Sequence, residues 1–102
     1  MMIKYSLFFV ISFMLTIMTI EAAEYNGTDI DGNEYSCSAY SYDTGNYYDV
    51  TVEFSGTVVT IYFDNGGYIV VNIDDEIIDD PDSISAYEYN KGVFWDLDVE
   101  ID

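Results

Sequence analysis

Val93-Phe94-Trp95-Asp96-Leu97-Asp98-Val99-Glu100-Ile101-Asp102 sets Val93, Trp95, Leu97, Val99 and Ile101 in alternation with Asp96, Asp98, Glu100 and Asp102. A period of two puts the first group on one face of an extended strand and the acids on the other, so this stretch reads as a strand dry on one side and wet on the other. The same alternation runs through Tyr48, Val50, Val52 and Phe54 against Asp49, Thr51 and Glu53, and again through Val59, Ile61, Phe63 and through Ile69, Val71, Ile73. Residues 34–42 and 83–89 carry it with less contrast, because Tyr, Ser and Ala differ less in polarity, and residues 27–30 have room for one more short strand.

Turn chemistry separates these runs. Asp31-Gly32-Asn33, Asp43-Thr44-Gly45-Asn46, Ser55-Gly56, Asp64-Asn65-Gly66-Gly67 and Asn90-Lys91-Gly92 each offer Gly or Asn where a tight turn needs positive φ. Connections this short join antiparallel neighbours. The expected fold is therefore all-β: a single-domain meander of six or seven strands, either a small barrel or a two-sheet sandwich. No stretch shows a helical stripe. The longest irregular connection, residues 74–82, is also the most acidic.

Upstream, Lys4 precedes an uncharged apolar run over residues 5–20, which stops at Glu21 and is followed by Ala22 and Ala23. A basic start, an apolar middle too short to span a membrane and a small-residue end make a secretory signal peptide. Cleavage after Ala22 puts Ile20 and Ala22 in the recognition positions, whereas cleavage after Ala23 would put charged Glu21 in one of them. Residues 1–22 are therefore read as signal peptide and residues 23–102 as one acidic domain, secreted or periplasmic, with no membrane attachment after cleavage.

The chain carries 20 acids against two bases, a net charge of −18, and has no histidine. Loss of the signal peptide removes Lys4 and Glu21 together and leaves Lys91 as the one base. Such a domain cannot neutralise phosphates, which excludes nucleic acid and anionic membrane surfaces as partners. It is also no enzyme on this reading: there is no histidine for general base work, no arginine to clamp an oxyanion, and no activated serine or cysteine. The lone cysteine, Cys37, shares a face with Tyr35 and Ala39 and is expected to be a buried thiol.

Two groups of residues carry the candidate chemistry. Asp96, Asp98 and Glu100 form a row of carboxylates on one strand face, about 6.5–7 Å apart. Together with Tyr40, Tyr42, Tyr87 and Tyr89, which fall opposite the core positions of their strands, they are the candidate partner-binding residues, and Tyr47 and Tyr68 extend the same candidate aromatic strip. Asp74, Asp75, Asp79, Asp80, Asp82 and Ser83 gather oxygen donors of the kind Ca²⁺ takes, and form the candidate metal loop. Asp79-Asp80-Pro81-Asp82-Ser83, followed by Tyr87 and Gly92, resembles the calcium-loop and tyrosine-to-glycine elements of the βγ-crystallin family. Ile84 stands where that family's loop ends in a second serine, no second copy is present, and the resemblance implies nothing beyond Ca²⁺ at this loop.

The leading expectation is an exported, non-enzymatic binding module whose acidic, tyrosine-rich β surface engages a cationic protein or peptide. The alternatives are a Ca²⁺-binding structural β domain, and a binder of an uncharged ligand such as a sugar.

Overall fold

The computed structural model describes residues 21–101. The expected signal peptide, apart from its last two residues, lies outside them. Among the described residues there are nine strands and no helix: β1 (Glu24–Tyr25), β2 (Thr28–Asp29), β3 (Glu34–Ser41), β4 (Tyr47–Ser55), β5 (Val58–Phe63), β6 (Tyr68–Ile73), β7 (Ile77–Ile78), β8 (Ile84–Glu88) and β9 (Val93–Val99). Six of them close a barrel in the order β3-β4-β5-β6-β8-β9, with β9 pairing back onto β3. Barrel rather than sandwich is thus the outcome, and every barrel neighbour is antiparallel.

Alternation decides what fills the interior. Val50, Val52 and Phe54 of β4, Val59 and Ile61 of β5, Val71 and Ile73 of β6, and Trp95, Leu97 and Val99 of β9 are all buried, as their spacing predicts. A barrel of six strands has a narrow lumen, so bulk on one strand must be met by small side chains beside it. Trp95 pairs across its two neighbours with Ser41 and Ala86, and Leu97 pairs with Ala39 and Ile84. The weak contrast of β3 and β8 in the sequence therefore has a packing cause: these two strands flank the bulkiest one, and Ser41, Ala39 and Ala86 are small beside it while Ile84 alone is not.

The other three strands, each of two residues, form a separate sheet in the order β2-β1-β7. Asn26 and Gly27, both at positive φ (53° and 76°), make the tight turn between β1 and β2. β7 lies inside the acidic connection that reads as irregular; Ile78 is buried there with Ala23 and Ile30, extending the core beyond the barrel's end. Residues 29–33 are not a hairpin between barrel strands, since β2 pairs with β1 alone of its sequence neighbours. They carry the chain from the small sheet into the barrel, and Asp31 ties the two together: its Oδ1 accepts from Ala23 N–H at 2.8 Å and from Gly56 N–H at 3.0 Å. One end of the barrel is thereby covered. The other end is bounded by the turns at residues 42–46, 64–67 and 89–92.

The size matching across β3, β9 and β8 is testable. Ala39→Leu forces extra volume against Leu97 and is expected to destabilise the fold by about 1–3 kcal/mol, whereas Ser38→Leu, one residue along on the outer face, is expected to shift it by less than about 0.5 kcal/mol. Urea unfolding of the two variants measures both; equal costs would contradict the assignment of inside and outside on β3.

Candidate functional site

The outer face of β8, β9, β3 and β4 holds what the interior excludes. Tyr40 pairs in register with Tyr47 on β4 and with Asp96 on β9, and Tyr87 on β8 pairs with Phe94 on β9. Tyr42 N–H donates to Phe94 O at 3.1 Å, so these two residues are also cross-strand neighbours. The rings meet accordingly: Tyr40 lies 5.0 Å from Tyr42 and 4.8 Å from Tyr47, and Tyr87 lies 4.8 Å from Tyr89 and 4.7 Å from Phe94, centroid to centroid. Four of the six are more than half exposed, Tyr42 at 63%, Tyr47 at 73%, Tyr89 at 72% and Phe94 at 59%, so this is an aromatic surface and not the rim of the core.

Below this strip, along the same strands, the outer positions turn polar. β9 presents Asp96 and Asp98, with Glu100 just beyond it, and β4 presents Asp49 and Thr51. Between the two acidic strands β3 presents only Ser36 and Ser38, with Ser38 in register with Asp98 on one side and Asp49 on the other. Small side chains between two longer rows make a trough. A groove of about 420 Å³ lies here, lined by Ser36, Ser38, Asp49, Asp64, Asp98 and Glu100 among others. Asp96 stands where trough and strip meet, accepting from Ser83 Oγ at 3.3 Å.

Tyr40, Tyr42, Tyr47, Tyr87, Tyr89, Asp96, Asp98 and Glu100 thus fall on one surface, whereas Tyr68 stands apart beside Tyr62 on β5. Phe94, Asp49 and the two serines are additions. Phe94 has a sequence signal, an aromatic in a phase that Asp96, Asp98 and Glu100 otherwise occupy. The trough itself has none, because it depends on β9 pairing with β3, which the sequence does not specify.

The acidic connection is arranged differently. Asp75 Oδ1 accepts from Ile77 N–H at 3.0 Å and Asp80 Oδ1 from Asp82 N–H at 3.1 Å, so these carboxylates close local turns. Asp74, Asp79 and Asp82 are exposed, and Ser83 turns toward Asp96. Among the described residues, no three acidic or thiol side chains converge as a metal-ready group.

Charges crowd together elsewhere on the surface as well. A hydrogen bond to Glu76, and that residue's charge, raise the Glu21 carboxyl above its ordinary value, and the Glu53 carboxylate that accepts from Tyr62 Oη at 3.2 Å raises the Tyr62 phenol. Cys37 lies beneath the trough, facing inward and 5% exposed. Burial pushes its thiol up to about 12, with the nearby charges of Asp98 and Asp96 acting in the same direction and a hydrogen bond with the Asp98 backbone opposing them. It is a free thiol, protonated at any physiological pH and no nucleophile.

Comparison of the chain with protein-family models, with curated proteins and with solved structures finds no match, so the chemistry of this face is read from its own geometry.

The buried thiol gives a direct check on the packing under the trough. Iodoacetamide at pH 8.5 is expected to alkylate Cys37 of the folded protein at least about tenfold more slowly than in 8 M urea. Because its folded value lies above the ordinary 9.0, the stability it contributes is complete below about pH 9 and is lost as pH rises toward 12. Equal alkylation rates would place the thiol at the surface.

Proposed function

We propose that this protein is an exported, non-enzymatic binding module that captures a cationic protein or peptide on the outer face of β9, β3 and β4. The observation that carries the reading is the trough: a floor of serines between rows of carboxylates, headed by an aromatic strip. An extended segment lying along β3 would present alternate side chains at the same spacing as Asp96, Asp98 and Glu100, so that lysines or arginines two residues apart meet successive carboxylates. A cation beyond the trough's head would meet the faces of Tyr40, Tyr42 and Phe94, where ring quadrupoles attract it. The rest of the molecule adds a field. With a net charge of −18, the domain draws in cations from a distance and repels nucleic acid and anionic membranes.

Export fits the way the chain begins to be used. Glu21 is exposed and Ala22 only half-buried, while Ala23 is fully buried. Cleavage after Ala22 would turn the Ala23 nitrogen into an α-amino group already 2.8 Å from Asp31 Oδ1, so the mature chain would start with the first buried residue.

Immobilised protein titrated with a peptide of alternating lysine and serine tests this. Attraction between unlike patches acts mainly on association, so the on-rate is expected to fall about tenfold or more between 20 and 200 mM NaCl and to fall similarly in the triple variant Asp49→Asn, Asp98→Asn, Glu100→Gln. Tyr42→Ser with Phe94→Ser is expected to raise the off-rate instead. Binding that ignores salt yet disappears with the aromatic substitutions would move the assignment to an uncharged ligand.

A further inference from the structure

The uncovered end of the barrel contains a second concavity, of a different kind. A cavity of about 320 Å³ opens there between the turns at residues 42–46, 64–67 and 89–92, where β6 and β8 pair through only Asn72↔Tyr87 and Ile73↔Ala86 and then part. Tyr48, Phe63 and Trp95 line it with Ser41, Glu88 and Lys91. Glu88 is the anomaly. It follows Ile84 and Ala86 on the inward face of β8, is 4% exposed, and so places a carboxyl group inside the barrel.

The hydrogen bond given to this carboxyl comes from Trp95 Nε1, at 3.4 Å. A carboxylate can accept about four. Among the described residues no buried side-chain oxygen lacks a partner, so the other oxygen opens on the cavity, where water or a cation completes it. The surroundings suit a cation. Tyr48 lies 6.1 Å from Phe63 and 6.0 Å from Trp95, and Phe63 lies 6.4 Å from Trp95, so the three centroids form a triangle. A positive group seated over that triangle is within about 6 Å of all three rings, the range of cation–π attraction. Two of the rings are held in place by polar partners: Tyr48 Oη shares a hydrogen bond of 3.0 Å with Thr44 Oγ1, and Trp95 is fixed by Glu88 itself.

We infer that the barrel mouth binds a small organic cation, an alkylated ammonium group whose apolar shell packs against Tyr48, Phe63 and Trp95 and whose charge is matched by Glu88. An anion is repelled by Glu88 and by the field of the whole chain. A neutral apolar ligand gains the rings but leaves the carboxylate buried against hydrocarbon. Lys91, in the β8–β9 turn, sits at the rim as a like charge and weakens the site.

Trp95 is the chain's one tryptophan, so its fluorescence reports this cavity alone. The probe is choline, set against 3,3-dimethyl-1-butanol, which has the same shape with carbon in place of nitrogen, and against NaCl at equal ionic strength. A saturable change with choline is expected, at least about tenfold weaker with the neutral isostere and about tenfold weaker in Glu88→Gln, which keeps the side chain's shape. Lys91→Met, an exposed substitution outside the fold's core, is expected to tighten choline binding about threefold or more by removing the like charge. The triple variant of the outer trough is expected to bind choline as the native protein does, which separates this site from the proposed capture surface. Equal affinity for choline and its isostere, an unsaturable response matching NaCl, or unchanged binding in a folded Glu88→Gln would each overturn the inference; if Glu88→Gln does not fold, the isostere and the Lys91→Met response decide.

Discussion

Trp95 can point into a six-stranded barrel because both residues beside it are small, and Leu97 because one of its two neighbours is. Ser41 and Ala86 flank the first, and Ala39 and Ile84 the second, so the fit of β9 between β3 and β8 is what allows the sheet to close. Closure in turn fixes the face that every other side chain occupies. A slip of one residue at β9 would send Asp96 and Asp98 into the lumen and Trp95 into water, a change no packing elsewhere could offset. The candidate surface is thus a by-product of the core: once the apolar set of β9 is inside, its acids must line up outside, next to whatever β3 presents.

What β3 presents outside is small at one end and aromatic at the other. Ser36 and Ser38 leave a hollow between the carboxylates of β4 and β9, and the rings of Tyr40 and Tyr42 end it, with a second group of rings at Phe94 and Tyr87 on the neighbouring strands. The contrast between the two ends of the barrel follows from the chain's course. The small sheet, held by Asp31, covers the end where β3 begins, and the turns leave the other end open above Glu88. An acid outside meets water; an acid inside needs a partner.

Most of the fold is legible in the sequence wherever polarity contrasts sharply along a strand. The runs of β4 and β9 can be read from Val, Leu and Phe against Asp, Glu and Thr, and those of β5 and β6 from the spacing of Val59, Ile61, Val71 and Ile73, although Val58 and Val70 stand outside. In β3 and β8 the alternation is of small or aromatic residues, and there the two faces of Ser, Ala and Tyr look alike until their neighbours are known. That is why Glu88 escapes notice in the sequence. Its inward phase follows from Ile84 and Ala86, but a glutamate among Tyr87 and Tyr89 reads as one more surface acid. β7 escapes for another reason: Ile77 and Ile78 are too few to show a period, and only pairing with β1 makes them a strand. The candidate surface residues were visible singly, as outward positions, but their union into one face depends on pairings between strands far apart in the chain.

The account rests on the outer face of β9, β3 and β4 being where a cationic segment is held. Amide chemical shifts of the ¹⁵N-labelled protein, followed while an unlabelled lysine–serine repeat peptide is added, test it most directly. The largest shifts are predicted at Ser36, Ser38, Tyr40, Asp49, Asp96 and Asp98, with residues 74–82 little affected although they are as acidic. Shifts concentrated in residues 74–82, or spread evenly over all the acids, would mean that the charge is diffuse and that the trough has no part in recognition.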